Sequence, residues 1–134
     1  MHKNFLLIAA LSGALSVVLG AFAAHQLKAV VSVDTLQIFE TAVKYQMYHA
    51  LALLATGILL QQFPVKQLKW AANFFIAGIF LFSGSLYLLC YIKHQQIQAT
   101  WVGAITPFGG LCFITGWILL AAGVSRKATA GSII

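Results

Sequence analysis

FLLIAALSGALSVVLGAFAA, residues 5–24, runs for 20 residues without a charged side chain. A bilayer's hydrocarbon core is about 30 Å thick, and a helix needs roughly 20 residues to cross it. No water is present there to satisfy the backbone, so a crossing segment must be helical. Three further apolar stretches repeat the pattern. One lies inside the run Tyr45–Val65, which holds no Asp, Glu, Lys or Arg; the others are Trp70–Ile92 and Pro107–Val124. The spans are therefore placed at 5–24, 45–62, 70–92 and 107–124. The expected fold class is all-α: a single-domain integral membrane four-helix bundle. Before the second span, Leu36, Phe39, Val43, Met47 and Ala50 recur at helical steps, opposite Gln37, Glu40, Thr41, Lys44 and Tyr48. That pattern gives the second helix an amphipathic N-terminal extension, with Asp34 or Thr35 as its N-cap.

The composition agrees. The chain is 61% hydrophobic and 7% charged, too few charges to cover a water-soluble domain of 134 residues. The net charge of +6 is scattered over span ends rather than gathered in a run. It fits lipid headgroups and excludes nucleic acid as a partner. The N-terminus imitates a secretory signal, with Lys3 before the apolar run and Ala21-Phe22-Ala23 as an A-x-A site. The run exceeds the length of a signal's apolar region and carries a small-residue stripe, so it reads as a retained first span. Cys90 and Cys112 form no C-x-x-C and no zinc spacing. They read as small lipophilic side chains.

Small residues mark the expected helix contacts. Ser12, Ser16, Gly20 and Ala24 recur every four residues, Gly84 sits in a Ser-Gly-Ser cluster, and Gly109, Gly116 and Gly123 recur every seven. Such residues let helix backbones approach closely. Phe74, Phe75, Phe80 and Phe82 are read as lipid-facing. Thr106-Pro107 reads as an N-cap and first helical turn, with a proline-kinked helix starting near Thr100 as the alternative.

With four spans, one side carries Lys3, Lys66, Lys69, Arg126 and Lys127, and the other Lys28, Lys44 and Lys93. The bias places both termini in the cytoplasm. It also gathers three polar junctions on the opposite face. The candidate polar cluster is His25, Glu40, Lys44, Tyr45, His49 and Thr106. Glu40 and Lys44 stand in the favourable i, i+4 order, and the expectation is that Lys44, His25 or Thr106 holds the Glu40 carboxylate. His25, His49 and Glu40 are conceivable metal ligands by type, but not at metal-motif spacing, so no metal, cofactor or catalytic residue is assigned. No G-x-S-x-G, H-E-x-x-H, P-loop or Rossmann pattern occurs, and two acidic residues leave little room for paired-carboxylate chemistry, so the chain is not read as an enzyme.

Four segments carry a resemblance. They are Gly20-Ala21-Phe22-Ala23-Ala24-His25, Phe39-Glu40-Thr41-Ala42-Val43-Lys44-Tyr45-Gln46-Met47-Tyr48-His49, Gly84-Ser85-Leu86-Tyr87 and Ile105-Thr106-Pro107-Phe108-Gly109-Gly110. Together they resemble the YgdD-like family of small bacterial inner-membrane proteins, a domain-of-unknown-function family with eukaryotic relatives in the TMEM series. The likeness covers Leu11 to Gly123 and departs at Ala23, where the family usually has glycine. It implies a four-span fold with an unassigned activity, and it supplies no catalytic residue. Two functions remain in view. One is a structural or interaction protein packing through small-residue seams, with the bilayer and a second copy or another membrane protein as partners. The other is a small oligomeric transporter or channel with a polar site near Glu40, His25 and His49.

Overall fold

The computed structural model describes residues 2–131, with side chains placed through Arg126. Lys127, one of the residues in the charge bias, lies outside the described side chains. Among the described residues the fold is all-helical. Helix α1 is His2–His25 and α2 is Val33–Gln62, with a 3-10 turn, Leu27–Ala29, between them. Helices α3 (Lys66–Gly78) and α4 (Gly84–His94) are joined through a π-helical turn, Ile79–Ser83, into one rod. Helix α5 is Trp101–Gly131. Three segments are long and apolar enough to cross a membrane: His2–Ala29, Lys66–His94 and Trp101–Arg126.

The remaining helix, α2, is also the one most enclosed by its neighbours. Its buried residues include Gln46, His49 and Thr56 beside Ala42, Leu53 and Leu60. It lies between α1 on one side and the α3–α4 rod on the other, and α5 packs along that rod while still reaching α2 through Phe113 and Trp117. A helix flanked by protein on two sides can turn polar groups toward its neighbours, where other helices satisfy them.

Ser32 caps α2, accepting from the Thr35 backbone N–H at 3.2 Å. The helix thus starts before the expected Asp34 or Thr35, and the Thr35 hydroxyl completes the cap by bonding Ser32 Oγ at 2.9 Å. Helix α5 begins at Trp101 and carries Pro107 inside it, which corrects the start expected at Thr106-Pro107. The proline sits in the second turn, where only the bond to the Gly103 carbonyl is lost.

Two seams hold the bundle. On α1 the buried positions are Phe5, Ala9, Ser16 and Ala23, the last three seven residues apart. Steps of four drift by about 40° each on a helix of 3.6 residues per turn, whereas steps of seven drift by about 20°. This is why Ser16 lies in the seam while Ala24, also on the four-residue series, is exposed. The second seam is antiparallel and regular. A Cβ added at Gly109, Gly116 or Gly123 would meet Phe82, Phe75 or Leu68 in turn. Seven-residue steps on α5 thus face seven-residue steps on the α3–α4 rod. Phe75 is fully buried and Phe82 half-buried, which corrects their reading as lipid-facing; Phe80 is exposed. Gly84 meets nothing within 4 Å and lies instead in an open groove of about 400 Å³ between α1 and the rod.

Candidate functional site

The polar residues buried between helices form the candidate site. Helix α2 supplies most of them. Gln46, 3% exposed, donates from Nε2 to the Ser12 carbonyl of α1 at 3.0 Å and accepts at Oε1 from the Tyr87 hydroxyl of α4 at 2.7 Å. One amide therefore ties three helices together. The Ser83 hydroxyl, at the end of the π turn, donates to the Ala42 carbonyl of α2 at 2.8 Å. Ser85 Oγ and Thr106 Oγ1 meet at 2.6 Å, joining α4 to α5.

His49 is buried in an aromatic box. Its ring stacks on Phe113 with centroids 3.4 Å apart and planes 8° apart, and Phe75 and Trp117 close the sides. Trp117 Nε1 lies 3.1 Å from His49 Nε2, and His49 Nδ1 lies 2.7 Å from the Tyr45 carbonyl. An indole N–H is only a donor, so Nε2 must be the bare acceptor and Nδ1 must carry the proton. The imidazole is then neutral with both nitrogens engaged. It has no lone pair left for a metal.

The expected polar cluster does not assemble. Glu40 and His49 are nine residues apart on α2, which places them about half a turn apart around the helix and on different faces. His25, Glu40, Lys44 and Tyr45 are exposed, the Tyr45 ring stacking on Phe82 at 4.7 Å. Thr106 engages Ser85 rather than Glu40. Glu40 has no hydrogen-bond or ion-pair partner among the described residues, so the expected hold on its carboxylate is absent. Cys90 and Cys112 are both free thiols, and Cys90 Sγ lies 3.4 Å from the Thr35 carbonyl.

Gln46, Tyr87 and Trp117, which carry the interhelical bonds, were not among the expected site residues. Two of them had a signal in the sequence. Gln46 is a polar amide inside the uncharged run Tyr45–Val65, and Trp117 stands mid-span, away from the interfacial positions where tryptophan usually anchors.

Residues 19–110 match the family model described as "Protein of unknown function (DUF423)". The chain is 42% identical to the UPF0382 membrane protein SAB0533 of Staphylococcus aureus (strain bovine RF122 / ET3-1), over 88% of this chain and 92% of that protein. It is 40% identical to the UPF0382 membrane protein YwdK of Bacillus subtilis (strain 168), over 88% and 93% respectively. With the UPF0382 inner membrane protein YgdD of Escherichia coli (strain K12) it shares 36% identity over 98% of this chain and 97% of the relative. No solved structure matches the chain. The matches extend over most of each relative, and the expected likeness to the YgdD-like proteins holds. The chain belongs to the DUF423 family of membrane proteins of unknown function.

Proposed function

We propose that this chain crosses the cell membrane four times, as an inner-membrane bundle, and acts as a structural or interaction protein without enzymatic activity. Its partner is a second copy or another membrane protein. One observation carries this reading: the buried Gln46, His49, Ser83 and Ser85 are engaged in bonds between helices. Groups committed in this way lock helices together and leave little to line a water-filled path. The transporter alternative has less support, since His25 and Glu40 are exposed while His49 points into the aromatic box. The start of α2 supports an amphipathic extension ahead of its membrane segment: Asp34, Gln37 and Glu40 are exposed, and Thr35, Phe39 and Ala42 buried. Both termini are assigned to the cytoplasm on the lysine and arginine bias; a C-terminal reporter that reads the other side contradicts this.

Exposed apolar residues on α1, among them Leu7, Leu11, Val17 and Val18, leave a face for lipid or a partner helix. The test is purification of the whole chain in mild detergent, followed by mass spectrometry. The expected result is a stoichiometric second copy or a co-purifying membrane protein. A chain recovered only as a monomer, with no protein partner, contradicts the interaction reading.

A further inference from the structure

Glu40 and Lys44 are the two charged groups that face each other's turn of α2 without using each other. Both are exposed, and neither is bonded to the other or to any described residue. They border a groove of about 300 Å³ whose remaining walls are Gly20 and Ala23 of α1 and Val43 of α2. Gly20 and Ala23 belong to the closing turns of the apolar stretch 5–24, and His25 ends the helix just beyond. The groove therefore opens at the edge of the hydrocarbon, at the level of lipid headgroups. This placement rests on the four-span reading above.

The order of charges along the groove is informative. Helix α2 runs antiparallel to α1, so residues later in α2 lie deeper. Lys44 is about 6 Å further in than Glu40 along the axis, at 1.5 Å per residue. From outside inward, the wall presents a carboxylate and then an ammonium. An aminophospholipid presents the opposite sequence: an outer ammonium, a two-carbon bridge and an inner phosphate. A carboxylate at this depth is costly to leave unpaired, and a lysine there reaches outward along its stem to phosphate. The small side chains of α1 keep the space between them open.

We propose that the Glu40–Lys44 groove binds the headgroup of a phospholipid with a primary ammonium, phosphatidylethanolamine by its chemistry. Glu40 accepts from the ammonium and Lys44 donates to the phosphate. The geometry discriminates among headgroups. A quaternary amine offers charge but no N–H donor, and a glycerol headgroup offers no cation for Glu40.

The test is native mass spectrometry of the full chain in mild detergent. The probe is an equimolar mixture of phosphatidylethanolamine, phosphatidylcholine and phosphatidylglycerol with matched acyl chains. Phosphatidylethanolamine is expected to be retained about two- to fivefold over each of the others, the range set by an exposed ion pair. Glu40→Gln is expected to abolish its advantage over phosphatidylcholine. Lys44→Gln is expected to weaken both lipids together. Equal retention by the wild-type chain overturns the proposal with no variant needed, as does an advantage that survives in Glu40→Gln. A chain that retains no lipid of any class also overturns the proposal, while the four-span reading is tested separately by the C-terminal reporter, so the two failures are distinguishable.

Discussion

Gly109→Ala is expected to destabilise the detergent-solubilised protein by about 1–3 kcal/mol, the usual penalty for overpacking a filled contact. The added Cβ would lie 2.7 Å from the Cα of Phe82, against backbone of the π turn rather than a side chain that can swing away. Helix α5 must then move off the rod, and the flanking contacts of Gly116 on Phe75 and Gly123 on Leu68 loosen with it. Alanine at Gly84 is the control, because nothing lies within 4 Å of its Cβ position. Relief of glycine's conformational entropy makes that change neutral or stabilising, by up to about 1 kcal/mol. Thermal melting of the two variants beside wild type reads both effects. Equal melting temperatures would mean that the glycine series on α5 does not form the close seam.

His49→Ala is expected to have a larger effect, about 3–5 kcal/mol by analogy with the removal of a buried aromatic ring. Two losses combine. The ring stacked on Phe113 leaves a cavity, and Trp117 Nε1 loses its acceptor inside the bundle. His49→Phe separates them, since it keeps a ring in the box and removes only the hydrogen bonds. Its loss should be about 1–3 kcal/mol, the cost of a buried donor left without a partner. Pairing His49→Phe with Trp117→Phe in a double-mutant cycle isolates the Nε1–Nε2 bond. If the two changes add without coupling, the imidazole is not bound to the indole.

Much of the scaffold was legible from residue type and period, because an apolar run of span length has few other uses. The seven-residue spacing of Gly109, Gly116 and Gly123 likewise identified a contact face. What it faced was hidden. Leu68, Phe75 and Phe82 keep the same spacing, but a large apolar side chain on a membrane helix is equally at home against lipid or protein. The contrast between wet and dry faces that identifies a soluble core is missing in a bilayer. The π turn at Ile79–Ser83 had no local signature beyond its flanking glycines, Gly78 and Gly84. It sets the Ser83 hydroxyl on α2 and presents Phe82 backbone to Gly109. The candidate site failed for a different reason. His25, Glu40, His49 and Thr106 come from segments that the topology puts on one side of the bundle, but sharing a side fixes neither depth nor facing direction, and Glu40 and His49 stand about 13 Å apart along α2. On α2 the nine-residue separation turned Glu40 outward and His49 inward.

The most direct test of the central claim, that the buried polar groups close helix contacts rather than line a water path, is cysteine accessibility in native membranes. In a background with Cys90 and Cys112 replaced by serine, single cysteines are placed at Ser83 and Ser85, both buried, and at the exposed Lys28 and Gln96. A membrane-impermeant maleimide is then applied to intact cells. The expected result is labelling of Lys28→Cys and Gln96→Cys, with Ser83→Cys and Ser85→Cys labelled only after denaturation. Rapid labelling of Ser83→Cys or Ser85→Cys in the folded protein would place water among these helices and contradict the packing role.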